Sequence, residues 1–224
     1  GFADSDRTMP TVVYLHGFGS GPDSTKGKVF QRNFAMIGAE VYQPDLAEGD
    51  FQGLTITAQL AVVDRAVRER EPVLLAGSSL GGYLAALYAA RNPELVPSLV
   101  LLAPAFGFAR RWAEQLGKAE MAAWREQGVR LVHHYGAQDS LPIGYQLYED
   151  ALQYEDFPDV KQPTLAFHGR LDEIVHPELS TEFAWGRANV QLEFLDSDHQ
   201  MLDVVETIWE QVAMFYQETE PTRG

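Results

Sequence analysis

Six consecutive residues, Gly77-Ser78-Ser79-Leu80-Gly81-Gly82, place a hydroxyl where it could be turned into a nucleophile. They follow the apolar run Pro72 to Ala76 and precede an apolar helical pattern, so the chain reads strand, sharp turn, helix. A serine at such a turn is forced into a strained backbone geometry. Two residues to either side of it strand and helix nearly touch, and only glycine fits there. Gly77 and Gly81 meet that demand for Ser79. Ser78 fails it, because Ala76 and Leu80 flank it, so Ser79 is the candidate nucleophile.

A serine hydroxyl is weak by itself. It needs a histidine to take its proton and a carboxylate to hold that histidine's tautomer. Past the apolar run Thr164 to Phe167 comes His168-Gly169-Arg170-Leu171-Asp172, and past Gln191 to Leu195 comes Asp196-Ser197-Asp198-His199. Both sequences arrive at strand ends, in the chain order serine, acid, base. Asp172 is therefore assigned as the orienting acid and His199 as the general base, with Glu173 and Asp196 as spare acids and Asp198 as a turn residue. The developing oxyanion needs two amide N–H groups. Leu80, after the nucleophile, supplies one, and Phe18, in the loop His16-Gly17-Phe18-Gly19-Ser20-Gly21 after the first strand, supplies the other. That loop misses the spacing of a phosphate-cradling G-x-G-x-x-G, and no G-K-[ST] follows it.

The remaining histidines receive plainer roles: His16 shapes its loop, His168 supports the acid turn, and His176 starts a helix. His133 and His134 lack the spacing and the carboxylate of a metal site, so neither metal nor cofactor is expected. Gly17, Trp112 and Tyr145 are the candidate substrate contacts, although aromatic stripes at helical spacing serve a core more often than a substrate wall.

Apolar runs that could carry this machinery alternate with segments of helical period, the pattern of β-α-β units around a parallel sheet. Strands are expected at Thr11 to Leu15, Glu40 to Gln43, Pro72 to Ala76, Ser98 to Leu102, Thr164 to Phe167 and Gln191 to Leu195. Ile56, Leu60, Val63 and Val67 put one stripe on a helix from about Thr55 to Arg70, and a further helix runs from Leu80 to Arg91. Leu202, Val205, Ile208, Val212 and Phe215 mark the last one. The alternation breaks between Pro104 and Pro163, a gap far longer than the ~2 to 6 residues of an ordinary α/β loop. Residues 105–162 thus form a cap insertion, mostly helical, with an extended piece near Leu131 to Tyr135. The hydrolytic core takes residues 10–104 and 163–217. Residues 1–9 read as an unstructured or expression-derived leader, with Met9 as the natural start, and residues 218–224 as a tail.

The 224 residues carry 32 acidic against 17 basic side chains, a net charge of −15 that repels phosphate backbones and anionic lipid heads. Nucleic acid and membrane are thus poor partners, and a small molecule is the expected one. With no cysteine there is no disulfide and no thiol nucleophile. Neither a signal peptide nor ~18 consecutive apolar residues is visible, and the expected compartment is the cytoplasm.

With these residues in place the chain resembles the α/β-hydrolase superfamily. Leu15-His16-Gly17-Phe18 with Ser20, Pro22, Ser24 and Lys26, followed by Gly77 to Tyr83, is similar to the small bacterial esterases of the YqiA type. The insertion is a departure, since those relatives have little cap. The resemblance implies a sheet of about six mainly parallel strands flanked by helices, and carboxylic ester hydrolysis without metal or organic cofactor. The same residues would serve a thioesterase, a lipase or a carbon-carbon bond hydrolase. A hydrolase fold that has lost turnover would bind an ester without cleaving it. A lipase would want an apolar patch, whereas the insertion carries Arg110, Arg111, Glu114, Lys118, Glu120, Arg125 and Glu126.

Overall fold

The computed structural model describes residues 11–220. The expected leader at residues 1–9 and the last four residues of the expected tail lie outside them. Six strands make one sheet: β1 (Thr11–Leu15), β2 (Glu40–Tyr42), β3 (Val73–Ser78), β4 (Ser98–Leu102), β7 (Thr164–Gly169) and β8 (Val190–Leu195). Every pairing is parallel, in the order β2-β1-β3-β4-β7-β8. Such a sheet must bury both faces, and the period of two divides its side chains between two cores. Val13, Leu15, Leu75, Leu99 and Leu101 face one core. Val12, Tyr14, Leu74, Val100 and Leu102 face the other.

Helices cover each face with the stripes that the sequence supplies. Ile56, Val63 and Val67 of α2 (Ile56–Arg68), Leu84 and Leu87 of α3 (Leu80–Arg91), and Phe183 of α6 (Glu178–Ala184) fill the first core. Phe30 and Phe34 of α1 (Thr25–Met36) meet Ile208, Val212 and Tyr216 of α7 (Val205–Thr219) in the second. A 3-10 turn at Leu202–Val204 precedes α7, and α7 itself reaches Thr219, so the expected tail begins inside a helix. The strand order reverses between β1 and β3. In open α/β sheets, ligands bind beyond the carboxyl ends of the strands at such a reversal.

Between β4 and β7 lie α4 (Phe108–Gln127), β5 (Val129–His134), β6 (Asp139–Gly144) and α5 (Gln146–Ala151). The extended piece near Leu131 is one arm of an antiparallel hairpin, and its partner strand β6 was not anticipated. The sequence Asp139-Ser140-Leu141-Pro142-Ile143-Gly144 hides it, because proline and glycine argue against a strand and are tolerated here only in an isolated two-stranded ribbon. Trp124, Ile143 and Leu147 from this region join the first core. The Thr57 amide and hydroxyl both donate to the Asp150 carboxylate, at 2.7 and 2.8 Å, which ties α5 to α2.

Candidate active site

The turn after β3 has the geometry that its glycines foretell. Ser79 sits at φ 57°, ψ −120°, a region costing an ordinary residue about 1 to 3 kcal/mol. Its backbone is held there by its N–H, donated to Leu102 O at 2.9 Å, and by its carbonyl, which accepts from Gly82 and Ala105, each at 3.0 Å. A Cβ on Gly77 would stand 2.2 Å from Gly81 O, and one on Gly81 would stand 2.2 Å from Leu15 O. Both obstacles are backbone, so neither can move aside.

Asp172 lies at the loop after β7, 4% exposed, and its carboxylate is fully engaged. Oδ1 accepts the Ile174 and Val175 amides at 2.9 and 2.8 Å. Oδ2 stands 2.7 Å from His199 Nδ1 and 3.1 Å from His168 Nε2. Burial alone would raise the pKa of this carboxyl. The hydrogen bonds from His168 and His199, with the charge of His199 and the Val175 amide, outweigh burial and hold it well below the usual carboxylate range. An ionised Asp172 accepts the Nδ1–H of His199, which leaves Nε2 as the lone acceptor of that ring. His168 Nε2–H also donates to Val175 O at 2.8 Å, and its Nδ1 is 2.6 Å from Ser180 Oγ, so this histidine braces the acid loop. The spare acids stand apart: Glu173 is exposed, and Asp196 is an exposed partner of Arg170.

Two further contacts fix the loop that carries His199. A Cβ on Gly169 would lie 2.4 Å from Ser197 O, so glycine there lets the loop after β8 close onto the acid loop. Asp198 Oδ1 accepts the Gln200 and Met201 amides at 3.1 Å, a turn contact. His199 and Ser79 then border one cavity of about 790 Å³. No hydrogen bond joins the two side chains among the described residues, as is common before a substrate tightens such a site.

The loop after β1 forms the facing wall, with Gly17 and Phe18 on the cavity. The Phe18 ring is wedged among Phe51, Phe108 and Trp112 at centroid distances of 5.5 to 6.4 Å, which fixes the backbone that carries its amide. Among the described residues, neither the Phe18 nor the Leu80 N–H has an acceptor, and Leu80 opens α3, where first-turn amides point outward. His16 Nε2 accepts the Leu46 amide at 3.1 Å, so Nδ1–H donates to Gly17 O at 3.0 Å. Burial lowers the pKa of this ring, which suits a neutral brace. The β5–β6 hairpin and the turn after β5 line the cavity with Val132, His133 and Tyr135, and the Tyr135 amide donates to Gly19 O at 2.7 Å.

Two expected substrate contacts lie elsewhere. Trp112 packs on Phe18 and Trp124, and Tyr145 packs on Trp124, so their stripes face the core. Tyr145 borders a second cavity of about 580 Å³ beneath α4, lined also by Met121 and Arg125, away from Ser79. Two residues that the sequence reading left without a role, Tyr14 and Lys26, line the Ser79 cavity. The signal for Lys26 is a charged residue at the start of an otherwise amphipathic helix. Nothing in the alternation of β1 marks Tyr14.

A parallel sheet with a serine elbow after β3, an acid after β7 and a histidine after β8 has the α/β-hydrolase fold. The chain belongs to the family described as Uncharacterised protein family (UPF0227), whose profile matches residues 11–216. It is similar to alpha/beta hydrolase domain-containing protein 10 from mouse, at 20% identity with a TM-score of 0.81, covering 94% of this chain and 91% of that one. Est1E from Butyrivibrio proteoclasticus shares the fold at 22% identity and TM-score 0.75, covering 94% and 88%. Monoacylglycerol lipase abhd6-B of Xenopus laevis is 26% identical over 180 residues, 75% of this chain and 50% of that protein. The chain therefore spans about half the length of that relative. Among the described residues, no helix is long and apolar enough to cross a membrane.

Proposed function

We propose that the chain is a serine carboxylesterase acting on small-molecule esters of short to medium acyl chain. The observation that carries this reading is the 2.7 Å contact of His199 Nδ1 with a buried, ionised Asp172, on a ring that borders the same cavity as Ser79. His199 Nε2 takes the Ser79 proton as Oγ attacks the ester carbonyl, and the Phe18 and Leu80 amides receive the oxyanion. Collapse of that intermediate breaks the bond to the alcohol, which leaves with the proton from His199. Water then gives its proton to His199 and attacks the acyl-enzyme, releasing the acid and restoring Ser79. Asp172 stabilises the imidazolium in both halves. A relative named as a monoacylglycerol lipase agrees with an ester as the bond cleaved.

The test is hydrolysis of p-nitrophenyl esters of about two to sixteen acyl carbons, with Ser79→Ala as control. Turnover should peak on the shorter chains and fall by about 10⁶ in Ser79→Ala. A peak on the longest chains would point to a lipase. Silence on every ester would remove the esterase reading and turn attention to thioesters.

A further inference from the structure

The cavity of the proposed esterase holds two polar groups that acyl transfer does not use. Lys26, in the first turn of α1, is 7% exposed and borders the cavity. Among the described residues its side chain makes no ion pair and no hydrogen bond. The carboxylates of Asp172 and Asp198 act on it only from beyond contact distance. Tyr14 is fully buried, and its hydroxyl also has no hydrogen-bond partner. The Ser24 and Ser78 hydroxyls are near enough to moderate the upward push of burial on its pKa, yet neither meets it in hydrogen-bond geometry.

A buried ammonium without a counter-ion is costly, and an apolar side chain would serve a plain acyl pocket better. Here the cation stands at the N-terminus of a 12-residue helix, whose dipole and first-turn amides add positive potential on the same wall, through Ser24 and Thr25. Asp23, exposed at the mouth, with His133, Tyr135 and His199, are the other titratable groups on that lining.

We infer that Lys26, the Tyr14 hydroxyl and the start of α1 form a carboxylate subsite, and that the preferred substrate is an ester carrying a second, ionised carboxyl group. The inference rests on the esterase reading for its substrate, while the subsite itself does not. The Lys26 ammonium and the Tyr14 O–H each donate to the carboxylate, giving the ammonium a contact counter-ion and the buried hydroxyl a hydrogen-bond partner.

The experiment compares kcat/KM for methyl hydrogen adipate and methyl hexanoate, which differ only in the terminal carboxylate, by pH-stat with the parent and Lys26→Met. The parent should prefer the acidic ester by about ten- to a hundredfold, the usual strength of a charge-assisted hydrogen bond. Lys26→Met should bring the ratio to about one, and because the readout is a ratio, any change common to both substrates cancels. A parent ratio of one or less, or a ratio unchanged in Lys26→Met, overturns the subsite, and the first of these needs no variant to fold. Adipate alone should raise the melting temperature of the parent and not of Lys26→Met. If neither ester turns over, the esterase reading fails and this thermal shift decides the subsite: a shift lost in Lys26→Met upholds it, and no shift overturns it.

Discussion

Replacing Asp172 by asparagine changes one atom's chemistry and almost no volume, and the contacts of Asp172 say what must follow. Its carboxylate meets four N–H groups, two amides on Oδ1 and two imidazoles on Oδ2. The asparagine can keep its oxygen toward Ile174 and Val175, or turn it toward the histidines. Turning it sets an NH₂ against two buried amide donors, and each unsatisfied donor costs about 1 to 3 kcal/mol. The first orientation therefore wins by a few kcal/mol. It presents an NH₂ to His199 Nδ1, which can accept only by moving the ring proton to Nε2, where it blocks the base. The wrong tautomer should lower kcat by about 10⁴. Loss of a charge-assisted bond, about 1.5 to 3 kcal/mol, should lower the melting temperature by roughly 3 to 12 °C. The assay is kcat on p-nitrophenyl butanoate, with circular dichroism to show a folded variant. A folded Asp172→Asn within tenfold of the parent would refute the reasoning and move the acid to Glu173 or Asp196. The pH dependence gives a second check. Because the native pKa of Asp172 lies below its unfolded value near 3.9, its stabilisation is complete above that range and is lost as pH falls through it. The gap in melting temperature between parent and variant should be widest near neutrality and close below about pH 4.

Gly81→Ala should abolish activity or soluble expression, since its Cβ would stand 2.2 Å from Leu15 O, whereas Gly17→Ala, with 3.4 Å of room, should fold. Soluble yield and melting temperature separate the two. His16→Leu leaves the Leu46 amide without its acceptor and should cost about 1 to 3 kcal/mol, read as a drop of roughly 2 to 12 °C. Burial lowers the pKa of Lys26 to about 8, so the native state sheds its proton before the unfolded chain does and gains stability from this group as pH rises from 8 toward 10.4. Lys26→Met should accordingly melt higher than the parent at pH 7, with the advantage fading by about pH 10. An unchanged or lower melting temperature at pH 7 would mean that the ammonium is not penalised by burial.

Much of the fold was legible because its signals are local. Residues on β1, β3 and β4 are buried at every position and mostly apolar, as a strand covered on both faces requires. Glycines two places either side of Ser79 declare the close passage of α3 over the turn, a steric demand written into the sequence itself. Asp172 and His199 could be picked from the acids and histidines of the chain because each follows a strand of the sheet. The second arm of the cap hairpin was not legible. Pro142 and Gly144 contradict strand propensity, and their pairing with Leu131 and Val129 is decided by the facing arm of the hairpin and not by the propensity of this segment.

The aromatic stripe of α4 announced that Trp112 would be covered, while only packing decided that Phe18 and Trp124, not a substrate, would cover it. Periodicity places a side chain on a face but says nothing of what that face meets. Tyr14 alternates correctly with its neighbours, and Lys26 begins an ordinary helix. That the polar ends of both come to one cavity beside Ser79 follows from β1, α1 and β3 being folded together, and no stretch of the chain contains it. The candidate nucleophile, acid and base, Ser79, Asp172 and His199, were legible in the sequence because local sterics and strand ends single them out. The shape, charge and closure of the cavity were decided by tertiary structure, because burial and electrostatic field are properties of neighbours that the chain brings together only on folding.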